Sequence, residues 1–127
     1  MKYFSVLMAV VALLIANNLQ AGTPTCHSGS DAYCQYVGKV ERVYVNNDNL
    51  ILLYFDTPVP LSVPASIGLS VGSGFAAAVD ADENPEFAKM LYSTALTAQA
   101  SGRSVTIQMR GIQNGYLKID RIWLYAP

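Results

Sequence analysis

Residues 84–102, NPEFAKMLYSTALTAQASG, constrain the fold more than any other stretch, because a helix start, a helix stop and a helical period all fall within them. Asn84 can accept a hydrogen bond from a first-turn N–H, and Pro85 falls where a missing N–H costs nothing. Glu86 faces the positive end of the helix dipole, and Gly102 supplies the left-handed residue that closes a helix. Phe87, Leu91, Ala95 and Ala98 make one apolar stripe, and Ala88, Tyr92 and Leu96 make a second beside it. Glu86, Lys89, Ser93, Thr97 and Ser101 make the polar side. A lone small domain needs to bury only one such stripe. The sequence therefore predicts self-association, with the helix in the contact.

The N-terminus carries a second instruction. Lys2, an apolar run over residues 3–16 and then NNLQA form the pattern of a secretory signal peptide, residues 1–21. The run is short for a membrane span, and no later stretch is long enough either. The expected location is therefore periplasmic or secreted. Beyond the signal lie 106 residues, enough for one modest domain. With Lys2 removed, seven basic side chains stand against nine acidic ones, which offers no positive field to nucleic acid or to an anionic membrane. Cys26 and Cys34 bracket HSGSDAY, and in an exported chain such a pair reads as a disulfide. It closes an N-terminal arm, residues 22–35, ahead of a barrel domain at 36–127.

Strand signals surround the helix. Residues 36–45 are rich in valine and tyrosine, with a bend expected at Gly38 and a bulge at Glu41-Arg42. Residues 46–49, NNDN, are a turn by composition. LILLYFD, residues 50–56, is continuously apolar, so a strand buried on both faces is expected. Three prolines in 57–64 predict an extended loop, and the alternation over 67–79 predicts a third, glycine-kinked strand. Beyond the helix, Val105, Ile107 and Met109 alternate inward while Thr106, Gln108 and Arg110 point outward. Residues 111–115 read as a turn, and 116–125 as a last strand whose phase changes at Asp120-Arg121. The order β-β-β-α-β-β predicts a mainly β domain with one helix, a five-stranded OB-like Greek-key barrel. An open α+β roll would give the same order.

Three motifs suggest chemistry, and each fails on physical grounds. Gly68-Leu69-Ser70-Val71-Gly72 spells a hydrolase nucleophile elbow, but the one histidine, His27, lies upstream of the serine and beside the disulfide. Gly72-Ser73-Gly74-Phe75-Ala76-Ala77 matches a loose dinucleotide fingerprint, yet the helix that should follow begins only at Asn84. Asp80, Asp82, Glu83, Asn84 and Glu86 resemble the start of a calcium loop, but Pro85 replaces its turn glycine and Leu91 its bidentate glutamate. No enzyme, cofactor or metal ion is expected.

Residues 90–107, MLYSTALTAQASGRSVTI, form a helix closing in glycine and followed at once by a Val-x-Ile strand. In this stretch the chain resembles the subtilase cytotoxin B subunit and related small exported bacterial proteins, the B subunits of AB5-type toxins. The resemblance covers about the last forty residues and, beyond them, element order. It implies an OB-fold, ring-forming pentamers and glycan binding. The cysteine pair departs from the toxin's arrangement, and no glycan-contact residue or catalytic A-type partner carries over.

The expected function is an exported, non-catalytic binding module for glycan or protein, acting as a homo-oligomer. A structural or assembly subunit and a periplasmic enzyme inhibitor are the alternatives. In a small barrel of this type the loops joining strands one to two and four to five frame the binding face. Here these are Asn46, Asn47 and Asp48, and Gln113 and Asn114 with Tyr116 attached. Amides pair with sugar hydroxyls, and a tyrosine ring offers a surface for a pyranose. Asn-Gly chemistry also makes both segments good hairpin turns.

Overall fold

A computed structural model describes residues 22–127; the expected signal peptide lies outside them. Among the described residues, seven strands form one sheet: β1 (Thr25–His27), β2 (Tyr33–Gly38), β3 (Val40–Val45), β4 (Leu50–Phe55), β5 (Ala76–Asp80), β6 (Val105–Gln113) and β7 (Tyr116–Leu124). Their order is β1-β2-β6-β7-β5-β4-β3. Neighbours are antiparallel throughout, except that β5 and β7 run parallel. A single turn of helix, α1 (Ser62–Ala65), precedes β5, and one long helix, α2 (Pro85–Ser101), joins β5 to β6. The fold is mainly β with one substantial helix, and no helix among the described residues is long and apolar enough to cross a membrane.

Seven strands replace the five expected, for two reasons. The disulfide Cys26–Cys34 links two residues that are direct cross-strand partners, so the arm lies down as β1 against β2. The expected first strand, 36–45, divides at Lys39 into β2 and β3, which bond to different neighbours, β6 and β4. Gly38 makes the division possible: a Cβ there would stand 2.4 Å from the Tyr36 hydroxyl oxygen. The register then slips between Val40 and Arg42, as the sequence predicts. That bulge returns Val43 to the core side and leaves Arg42 on the outer face, its guanidinium 4.0 Å above the Tyr54 ring.

The main core lies between the inner face of this bent sheet and α2. Ile51, Leu53 and Phe55 enter it from β4, and Val105, Ile107 and Met109 from β6, all below a tenth exposed. Each large aliphatic side chain so buried contributes about 1.5–3 kcal/mol. The other parity of β4, Leu50 and Leu52, is buried too, in a separate cluster with Ala76 and Ala78. That explains the unbroken apolar run of this strand.

Helix α2 follows its sequence signals. Asn84 Oδ1 accepts from the Phe87 N–H at 3.1 Å, Pro85 is the first helical residue, and Gly102 closes the helix with φ 64°. Leu91, Ala95 and Ala98 are fully buried, whereas Tyr92 and Leu96 of the second stripe stay 39% and 38% exposed.

Three expectations are corrected. Residues 57–64 are not wholly extended: Pro64 is the third residue of α1, within the first turn, where no N–H is required. Residues 67–79 are not one kinked strand, because only Ala76–Asp80 pairs in the sheet. Their glycines serve a crossing instead. Val59 N–H donates to the Gly74 carbonyl at 2.8 Å, and a Cβ on Gly74 would fall 1.8 Å from the Val59 oxygen. The expected turn at 111–115 shrinks to Asn114-Gly115, both at positive φ (52° and 83°), while β6 continues past a bulge at Gly111 to Gln113.

Candidate functional site

Two outer faces of the sheet and one groove beside α2 concentrate the exposed chemistry. The first face holds the expected site residues. Asn46 is committed to its own turn, its Oδ1 accepting from the Asp48 N–H at 3.0 Å and the Leu50 N–H at 3.1 Å. Asn47 and Asp48 are exposed at the tip. Gln113 Nε2 donates to Asn114 Oδ1 at 2.8 Å, which ties one group of each amide at the second turn. Tyr116 lies outward beside Tyr54, and both rings pack over Leu50, Leu52, Ala76 and Ala78. Tyr54 pairs with Ala76, and Ala77 pairs with Leu117, so Tyr116 sits at the Tyr54 end of the face. The 46–49 turn adjoins Leu50 at the other end. Four residues of β4 separate the ends, about 13 Å at strand rise. The two turns therefore bracket a tyrosine-covered apolar face and do not meet.

The second face was only half visible in the sequence. Cross-strand partners share a face, so the registers of β2, β6 and β7 place Val37, Thr106 and Trp123 in one row and Gln35, Gln108 and Arg121 in the next. By the same alternation Tyr33 and Arg110 extend the face, and His27 joins from β1, its ring 4.7 Å from that of Tyr33. Thr106 and Gln108 do point away from the core, as predicted, yet their neighbours leave them only 5% and 8% exposed. Trp123, beside them, is 44% exposed. Thr106 Oγ1 and the Tyr125 hydroxyl share a hydrogen bond of 2.7 Å. The signal for this face was the polar parity of β6 opposite the aromatic residues near the end of β7. Lacking the register, one could not align them.

Charge on this second face is balanced. Arg110 pairs with Asp31, and its Nε lies 3.3 Å from Asp120 but out of line for a hydrogen bond. Arg121 Nε donates to the same Asp120 at 3.0 Å. Two guanidinium groups thus face two carboxylates, so no strong field favours a highly charged ligand.

The groove, of about 420 Å³, separates the β3–β4 hairpin from α2 and is lined by Val45, Ile51, Ala81, Ala88, Lys89 and Tyr92. A second hollow of about 330 Å³ lies at the N-terminus of α2 among Asp80, Glu83, Asn84, Lys118 and Asp120, where Lys118 is bound to Glu83. Among the described residues no three His, Cys, Asp or Glu side chains stand close enough together to hold a metal ion. The His27 ring is tilted by 33° against that of Tyr33, and its Nε2 lies 3.4 Å from Thr25 Oγ1.

Comparison with known protein families, curated proteins and solved structures finds no match to this chain.

Proposed function

We propose that the chain is an exported, non-catalytic binding module built on an OB-like Greek-key barrel, which recognises a glycan and acts as an assembly of identical copies. Support for the barrel comes from the two ends of the sheet. Counted as one bent strand, β2–β3 neighbours β6 on one side and β4 on the other. The remaining order then runs β4-β5-β7-β6 back to the start, with its one parallel pair at β5–β7 and α2 between the third and fourth barrel strands.

The reading of the ligand rests on one observation: an exposed Trp123 ring in register with Thr106, beside the nearly buried carboxamide of Gln108. An indole face suits the apolar C–H side of a pyranose, and a carboxamide offers a donor and an acceptor to adjacent hydroxyls. Two features favour an assembly subunit as the second reading, namely the exposed Tyr92 and Leu96 of α2 and the apolar groove next to them.

A glycan array probed with the purified protein tests this, followed by titration of Trp123→Ala and of the double variant Asn47→Ala/Tyr116→Ala. Loss of at least tenfold in affinity, about 1.4 kcal/mol, in Trp123→Ala alone supports the β2-β6-β7 face. The same loss confined to the double variant moves the site to the tyrosine face. A folded protein that binds nothing on the array leaves the assembly reading.

A further inference from the structure

Strand β3 is bonded on one side only, to β4, and ends the sheet order. Its hairpin fixes the phase of its backbone. Asn46 N–H donates to the Leu50 carbonyl at 3.1 Å, so by antiparallel alternation Tyr44 turns its backbone groups toward β4. Val43 and Val45 turn theirs to the free side. At one end of this opening the Glu41 carbonyl accepts from Gln99 Nε2 of α2 at 2.9 Å. At the other, the Asn46 side chain is folded into its own turn. Between them the edge carries neither proline nor lysine, Arg42 is turned over the Tyr54 ring, and Tyr44 (43%) and Val45 (53%) are exposed.

We propose that this edge is the docking site of a second copy of the chain, joined antiparallel about a two-fold axis at Tyr44. In that register Val43 N–H donates to the carbonyl of the partner's Val45, and the N–H of the partner's Val45 donates back to the Val43 carbonyl. The two-fold repeats both bonds, so all four free groups of each edge are used. Shifting the register one residue toward Glu41 needs a carbonyl that Gln99 already holds, and shifting it the other way runs into the 46–49 turn. Charges agree with the central register. Glu41 falls opposite the partner's Asn47, and Arg42 opposite the partner's Asn46 with the partner's Asp48 one diagonal step away, so no like charges meet. Helix α2 packs beside β3, and Tyr92 and Leu96, neighbours on one face of α2, are 39% and 38% exposed. The two-fold sets the two helices on the same side of the joined strands, which gives this unpartnered stripe and the groove at Val45 a common cover. The contact is self-closing, so association stops at two. It is independent of whether a glycan binds.

Sedimentation equilibrium of the purified protein, with two edge variants, tests the contact. Val45→Pro removes an N–H that faces away from β4, and Val45→Lys places a charge on the edge without touching the β3–β4 ladder. A dimer whose dissociation constant rises at least tenfold in Val45→Lys, and in Val45→Pro if that variant folds, is the expected result. Tyr44→Cys reports the register directly: the two Tyr44 positions face each other in a non-hydrogen-bonded pair, about 4.5 Å between Cα atoms, so mild oxidation should link two chains while Arg42→Cys should not. A monomer at about 100 µM, a ring of five, a dimer indifferent to Val45→Lys, or cross-linking through Arg42→Cys would each overturn the proposal.

Discussion

The Tyr36 hydroxyl donates to the Asp56 carboxylate, tying the end of β2 to the residue that follows β4, twenty positions on. The same oxygen lies 2.8 Å from the Lys39 carbonyl and accepts from the Asp56 N–H at 3.3 Å. Its ring is fully buried and stacks on Phe55 at 4.1 Å. The chain changes partners at Lys39, from β6 to β4, so this one hydroxyl holds the bend on which the bending of the sheet depends.

Removing the hydroxyl should show this. Tyr36→Phe keeps the ring and strands a carbonyl and a carboxylate, an expected loss of about 1–3 kcal/mol in unfolding free energy. A pH dependence should accompany it. Burial first, then the hydrogen bond and charge of Asp56, raise the Tyr36 phenol well above the ordinary tyrosine value of about 10. An acid held more tightly protonated in the folded state contributes stability that is complete below the unfolded value and is lost as pH rises toward the folded one. The stability difference between the natural protein and Tyr36→Phe should therefore shrink above about pH 10, by up to about 1.4 kcal/mol per pH unit. Denaturant titrations that give a constant difference between about pH 9 and pH 12 would rule this out.

A second test concerns the crossing at Gly74. A methyl there meets the Val59 carbonyl oxygen at 1.8 Å and its carbon at 2.9 Å, and both are backbone atoms that cannot swing aside. At Gly72 the nearest atom is the Gly115 oxygen, at 3.3 Å. Gly74→Ala should cost about 3 kcal/mol or more, and Gly72→Ala clearly less. Equal urea midpoints for the two variants would mean that the 57–61 and 73–75 segments can part without loss.

Where local signals were redundant, the sequence was readable. Asn84, Pro85 and Gly102 bounded α2 within a residue, and the phase changes at Glu41-Arg42 and Asp120-Arg121 are the register shifts of β3 and β7. Where one residue type serves two purposes, it was not. Glycine marks a kinked strand and a tight crossing alike, and only the proximity of Val59 decides that Gly74 belongs to the second. The division at Lys39 escaped for a similar reason: the residues that hold it, Tyr36 and Asp56, are far apart in the chain. The Trp123 face was hidden because a two-residue period gives parity within a strand but not alignment between strands, and it is the pairing of Thr106 with Trp123 and of Gln108 with Arg121 that assembles it.

The disulfide offers a third test, of local rather than global consequence. Cys26 and Cys34 face each other in register with Cα atoms 4.0 Å apart, and β1, three residues long, pairs with β2 alone. Closing so short a loop removes unfolded-chain entropy worth about 2–3 kcal/mol. For a domain of this size that corresponds to a fall of about 10 °C or more in Tm on reduction. The β2–β6 ladder and the core contacts of Ile107 and Met109 do not depend on β1, so the remaining sheet should stay folded at lower temperature. Hydrogen exchange after mild reduction should accordingly lose protection at Thr25–His27, with Val105–Gln113 still protected. Loss of protection in both segments together would make the bond a support of the whole sheet, and retained protection in both would make it dispensable even to β1.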